Sequence, residues 1–145
     1  MKRTSKKSRI FYAAMLILTA VYPVFMVMMS GAGLIYNRST YGERLCTAGV
    51  LLIVSGAAMT AGSIIALPEK RITAAVSLLL IAGGLVLCLC MLHILTSHAD
   101  SAGWSDNYTM EPVSAMYRRR MLPSVIPAAM AGGLAVHRLL SAPGK

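Results

Sequence analysis

The side chains with the strongest potential for chemistry form a short run near the end of the third apolar segment. Cys88, Cys90, Met91 and His93 supply thiolate, thioether and imidazole groups, which are the ligands that suit Cu(I). On a helix Cys90 and His93 share a face, whereas Cys88 and Cys90 point about 200° apart. Methionine and reduced cysteine are also common packing residues in apolar helices. We therefore expect these side chains to serve structural packing and the protein to bind no cofactor. Cys90 and His93 are remote candidates for metal ligands, that is, the less favoured interpretation.

No carboxylate or fixed positive charge lies near the middle of any apolar segment of the sequence. Proton-coupled transporters need such a group, because a buried carboxylate that gains and loses a proton is the coupling device. In its short length and four apolar segments the chain resembles the small multidrug resistance pumps, but its first segment lacks the carboxylate on which that family depends. Phosphate-loop, nucleophile-elbow and zinc-hydrolase motifs are also absent from the sequence. The sequence predicts a protein that is not an enzyme.

The composition indicates which elements hold these residues. Only 13% of the 145 residues are charged and 57% are hydrophobic, whereas a soluble domain carries about 25% charged residues. Four apolar segments cover residues 10–36, 45–67, 72–95 and 121–140. Each reaches the roughly 20 residues that a helix needs to cross about 30 Å of hydrocarbon. We therefore expect a single transmembrane domain over residues 1–145.

Helices are the structure that these segments predict, because every backbone N–H and C=O group within lipid needs an internal partner. A membrane β-barrel would need many alternating segments of about ten residues, and these segments do not alternate. The predicted fold is all-α, an integral membrane bundle of four transmembrane helices. A polar connection, 96–120, joins the last two helices, and Pro112 is suited to begin a short helix within it.

The basic residues predict which side of the membrane each connection faces. Five lysines and arginines lie within the first nine residues, and the positive-inside rule places such a segment in the cytoplasm. Four spans then place the C-terminus in the cytoplasm and the 96–120 connection outside, with nine basic residues inside and five outside. We expect a multi-pass protein of the cell membrane with its N-terminus in the cytoplasm.

Two features leave alternatives to this orientation. Arg118, Arg119 and Arg120 fall on the outer side, where their guanidinium groups would bind lipid phosphates or a partner's carboxylates. There are two alternatives. The fourth segment is re-entrant, because its prolines and glycines make insertion into lipid less favourable, or the whole topology is inverted. The N-terminal segment also shares features with a cleaved signal peptide, although its apolar stretch exceeds the roughly 7–15 residues of a signal core. The net charge of +9 favours anionic lipid headgroups, rather than nucleic acid, as partners.

Small side chains recur every four residues on the second and fourth predicted helices. The positions are Ala57 and Ala61, Ala58 and Gly62, and Ser124, Ala128 and Gly132. Such spacing lines up a groove in which another helix can approach closely. The groove serves either packing within the bundle or contact with a second copy or a partner protein.

Two functions are compatible with these features. The first is a non-enzymatic subunit or oligomer that acts through helix–helix contacts, with the small-residue groove and the arginine triplet as its contact surfaces. The alternative is a small channel or transporter for an ion or small solute, formed by several copies. Its path would be lined by the few hydroxyls that lie deep in the spans, namely Ser55, Thr60, Ser63 and Ser77. Such hydroxyls commonly bond to the backbone instead.

Overall fold

A computed structural model describes the chain over residues 6–66, 70–105 and 109–141, and these residues are almost entirely helical. The helices are α1 (Lys6–Tyr22), α2 (Met29–Tyr36), α3 (Arg38–Ile65), α4 (Arg71–Ser101), α5 (Val113–Met121) and α6 (Val125–Ser141). A π-helical segment, Pro23–Met28, joins α1 to α2, and a 3-10 turn, Leu122–Ser124, joins α5 to α6. Both joined pairs therefore form continuous helical rods.

Together with α3 and α4, the joined pairs give four helical rods that are long and apolar enough to cross a membrane. They are Ile10–Tyr36, Arg38–Ile65, Arg71–Ser101 and Val113–Ser141, with lengths of 27, 28, 31 and 29 residues. The prediction of an all-α fold with four spanning helices is confirmed. The predicted first span, 10–36, coincides with the observed one.

The other three helical rods begin before the apolar segments, and the last two also end after them. The 96–120 connection is helical at both ends: α4 continues to Ser101, which the sequence did not predict, and α5 begins directly after Pro112, where a short helix was predicted. Helix α3 begins before residue 45, with a break at Gly42, where φ is +80°. Polar residues can extend a helix past the hydrocarbon, since backbone hydrogen bonds define it and apolar composition does not. Residue 67, the last of the predicted second span, lies outside the described residues.

The four rods pack side by side in a ring. Helix α3 packs against α1, α2 and α4, while α4 packs against α5 and α6, and α6 returns to α1. Tyr12, Ala66 and Arg138 meet at one end, which we call the termini end. Tyr41 and Trp104 meet at the opposite end, the loop end.

The inward faces of the last three spans repeat every seven residues. On α3 the buried positions include the larger Leu45, Leu52 and Met59 and the small Ala48, Ser55, Gly62, Gly49, Gly56 and Ser63. On α4 they include Ala74, Ser77, Ile81, Gly84, Cys88, Met91 and Leu95. On the fourth span they are Met121, Ser124, Ala128, Ala131 and Ala135, with Ser114 nearer its start. Buried positions that recur every seven residues, two per repeat on α4 and the fourth span and three on α3, are the pattern of left-handed helix packing.

Large apolar side chains point away from the bundle on every span. Phe25 and Ile126 are each 65% exposed, and Leu79 is 73% exposed. A soluble protein rarely exposes a continuous apolar surface of this extent, whereas lipid accepts it without cost. Hydrophobicity alone therefore does not distinguish the inward face from the outward one.

Candidate functional site

Two buried serines connect α3 to α4. The Ser55 hydroxyl donates a hydrogen bond of 2.7 Å to the Gly84 carbonyl, and the Ser77 hydroxyl donates one of 2.6 Å to the Gly62 carbonyl. A Cβ on Gly84 would lie 2.9 Å from the Ser55 carbonyl oxygen, and one on Gly62 would lie 3.0 Å from that of Ser77. Each Ser–Gly pair therefore combines a hydrogen bond in one direction with a close backbone approach in the other.

The other two hydroxyls proposed to line a channel are also engaged. Thr60 donates to the Gly56 carbonyl at 2.8 Å, and Ser63 donates to the Met59 carbonyl at 2.9 Å, both within α3. No buried side-chain nitrogen or oxygen among the described residues is without a hydrogen-bond partner. Ser55 and Ser77 therefore join α3 to α4, and all four hydroxyls direct their hydrogens at backbone carbonyls rather than at a path for solute.

A pair of glycines brings the first two spans together. A Cβ on Gly31 would lie 2.5 Å from the Gly49 carbonyl oxygen, and a Cβ on Gly49 would lie 2.7 Å from the Gly31 carbonyl oxygen. Neither oxygen can rotate away, because both belong to helical backbone. The contact between α2 and α3 therefore requires glycine at both positions.

The residues predicted to pack at small-residue grooves lie at different depths. Gly62, Ser124 and Ala128 are buried, Ala58, Ala61 and Gly132 are half-buried, and Ala57 is exposed. Helix α6 packs on α4, and a Cβ on Gly132 would lie 4.0 Å from Ile81. The groove of the fourth span thus faces the bundle. Gly31, Gly49 and Gly84, where a Cβ would lie within 2.9 Å of a backbone carbonyl oxygen of another helix, were missed by the four-residue spacing. The seven-residue repeat on α3 is the signal that could have found Gly49.

The arginine triplet ties α5 to neighbouring parts of the loop end. Arg118 pairs with Asp100 at 3.1 Å, and Arg119 donates to both carboxylate oxygens of Glu111 at 2.9 and 3.3 Å. Arg120 is exposed and makes no ion pair with any residue that the structure describes. Exposed pairs of this kind contribute about 0–1 kcal/mol each. Two of the three guanidinium groups are therefore already paired with carboxylates of this chain.

Trp104 covers the loop end. Its ring centroid lies 5.2 Å from that of Tyr41 on α3 and 5.1 Å from that of His98 on α4. Its backbone N–H donates to the Ala99 carbonyl at 3.0 Å, and its carbonyl accepts from the N–H of Val113 at 3.0 Å. These contacts fix the start of α5 against the end of α4.

Arg138 performs the corresponding role at the termini end. Its guanidinium donates to the carbonyl of Ala66, which directly follows α3, and lies 5.4 Å from the ring centroid of Tyr12 on α1. A cation at a helix C-terminus interacts favourably with the helix dipole, and a guanidinium over a tyrosine ring adds a cation–π contact. One side chain therefore connects three of the four spans.

The three cysteines are free, and the soft-ligand run is divided between the two faces of α4. Cys88 is buried. The remote metal candidates Cys90 and His93 are both exposed on the outward side. Among the described residues, no three side chains of histidine, cysteine, aspartate or glutamate form a group that could hold a metal ion.

The described contacts divide the molecule into a hydrogen-bonded interior, two polar ends and an apolar exterior. Comparison with protein-family models, with curated proteins and with solved structures finds no match to this chain. The fourth span is the least apolar of the four and has the smallest buried share.

Proposed function

We propose that this chain is a non-enzymatic, multi-pass protein of the cell membrane that acts through lateral helix contacts with a second copy or a membrane partner. The hydroxyls of the interior bond to backbone carbonyls of the bundle, which leaves the exterior as the surface for function. The fourth span carries the proposal, because it is both the least apolar and the least buried of the four. A span of lower hydropathy gains less from lipid than a leucine-rich span would, so covering part of it with another helix costs little.

The contact surface that we propose is the outward face of α6 and the turn before it, which we call the outer stripe. Its residues are Leu122, Ile126, Ala129, Gly133, Val136 and Leu140, all exposed and spaced alternately by four and three. Ala129 and Gly133 form a small pair in the middle, and no atom lies within 4 Å of a Cβ built on Gly133. Small residues four apart allow a second helix to approach closely.

Replacing Gly133 with leucine is expected to weaken lateral association by about tenfold, because the new side chain would fill the space that a second helix occupies. Association would be measured in vesicles by energy transfer between labelled copies and by recovery of cross-linked complexes from native membranes. Gly83→Leu is the matched control, since Gly83 is exposed and equally open but lies on α4. Equal association of wild type, Gly133→Leu and Gly83→Leu would contradict the proposal.

The alternative, a pore or transporter made of several copies, would need hydroxyls that face a continuous path. The hydroxyls of Ser55, Thr60, Ser63 and Ser77 each donate to a backbone carbonyl instead. The proposal of a subunit or oligomer is therefore favoured. Flux of ions or solutes into liposomes that contain the purified protein would support the pore.

We further propose that both termini face the cytoplasm. The contacts of Arg138 with Ala66 and Tyr12 support a single end for the start of the first span, the turn after α3 and the end of α6. The positive-inside rule then favours the cytoplasm for this end, which holds nine of the fourteen basic residues.

Engineered cysteines test this orientation. In a variant whose three native cysteines are alanine, Ser101→Cys at the end of α4 is expected to react with an impermeant maleimide added to intact cells. Ser141→Cys at the end of α6 is expected to react only after the membrane is opened, because both serines are exposed but lie at opposite ends of the bundle. The reverse result would show an inverted topology, and labelling of both would show a re-entrant fourth span.

A further inference from the structure

The two ends of the bundle differ in net charge far more than in their number of basic residues. By position in the sequence, the loop end carries five basic and four acidic residues, and the termini end carries nine basic residues and one acidic residue. Of the net charge of +9, about eight charges therefore belong to the termini end. A field of this sign attracts anionic surfaces within about one Debye length.

The carboxylates that the structure describes all lie at the loop end, where they pair with basic residues. Glu43 pairs with Arg38, and Asp100 and Glu111 pair with two arginines of the triplet. The predicted lipid-binding triplet is therefore largely neutralised within the chain. At the termini end Lys70 and Arg71 are exposed, and they make no ion pair with any described residue.

Apolar surface lies directly beside these two basic residues. Ile72 is 79% exposed and Val76, one turn further along α4, is 40% exposed. Lysine and arginine side chains at the end of a membrane helix extend their charged tips to the depth of the headgroups while their stems follow apolar surface. A lipid with an anionic headgroup is the partner that satisfies both features, because its phosphate meets the charges and its acyl chain meets Ile72 and Val76.

We infer that the termini end of the bundle binds the headgroups of anionic phospholipids, with Lys70 and Arg71 forming part of the binding surface. The inference needs only membrane insertion and does not depend on lateral association. Each basic residue near an anionic surface contributes about a fivefold preference. Loss of both Lys70 and Arg71 is therefore expected to weaken the preference for anionic lipid by about twenty-five-fold.

The test compares two double variants of the full chain in nanodiscs of phosphatidylcholine with added spin-labelled phosphatidylglycerol. Lys70→Gln with Arg71→Gln removes two exposed charges at the termini end. Arg44→Gln with Arg120→Gln removes two at the loop end, where neither arginine makes an ion pair with a described residue. The fraction of immobilised phosphatidylglycerol, relative to phosphatidylcholine, gives the preference of each protein, and thermal unfolding in a zwitterionic detergent checks that each variant is folded.

The expected result is a strong preference in the wild type that falls with rising salt, is weakened about twenty-five-fold in the termini-end variant and is retained in the loop-end variant. A wild type without a preference would overturn the inference. So would a greater or equal loss in the loop-end variant, or a termini-end variant that is folded and unchanged. Lateral association, measured separately through Gly133→Leu, reports on the proposed function independently of these outcomes.

Discussion

Replacing Gly31 with alanine is expected to lower the free energy of unfolding by about 3 kcal/mol, at the upper end of the cost of overpacking a tight interior. The added Cβ would lie 2.5 Å from the Gly49 carbonyl oxygen and 3.0 Å from Ile53. Side-chain rotation cannot relieve contact with a backbone oxygen, so α2 must move away from α3. Unfolding by a denaturing detergent, followed by circular dichroism, measures the change.

Gly33 provides a matched control two residues away on the same helix. It is exposed, and no atom lies within 4 Å of a Cβ built at this position. Gly33→Ala is therefore expected to leave the stability unchanged or to raise it slightly, because alanine has the higher helix propensity. Gly49→Ala should resemble Gly31→Ala, since its Cβ would lie 2.7 Å from the Gly31 carbonyl oxygen. Equal stabilities of the Gly31 and Gly33 variants would show that the two helices do not make this contact.

The sequence was sufficient to predict the number of spans, because twenty apolar residues in succession are a signal of length alone. It was less informative about the faces of those spans. Phe25 and Ile126 are as apolar as the interior and yet point outward, so hydrophobic periodicity does not mark the buried side in a membrane protein. The marker on α3 is small size at a seven-residue repeat, as at Gly49 and Gly56. A search for spacings of four found part of that face and also included Ala57, which is exposed.

Interactions between distant parts of the chain were beyond the sequence patterns. A run of three arginines indicates a basic patch, and only the fold shows that Arg118 and Arg119 reach Asp100 and Glu111. The same holds for Arg138, whose carbonyl partner at Ala66 is 72 residues away. The difference in net charge between the two ends of the bundle follows from counting charged residues in the sequence. The pairing of those charges changed which end is expected to meet anionic lipid.

The Ser55–Gly84 contact is expected to behave as one cooperative unit, with Gly84→Ala lowering the free energy of unfolding by about 2 kcal/mol. A Cβ on Gly84 would lie 2.9 Å from the Ser55 carbonyl oxygen and 2.8 Å from Cγ of Met59. The adjacent Gly83 is the control, because it is exposed and has no atom within 4 Å of a Cβ. Gly83→Ala is expected to leave the stability nearly unchanged.

A double-mutant cycle separates the hydrogen bond from the close approach. Ser55→Ala alone is expected to cost about 0.6–1 kcal/mol, the range for a hydrogen bond between membrane helices. In the Gly84→Ala background its cost should fall toward zero, because helices held apart by the new Cβ can no longer keep the 2.7 Å distance between the Ser55 hydroxyl and the Gly84 carbonyl. Additive costs would show that the hydroxyl stabilises α3 by itself, and that α3 and α4 do not depend on this contact for their separation.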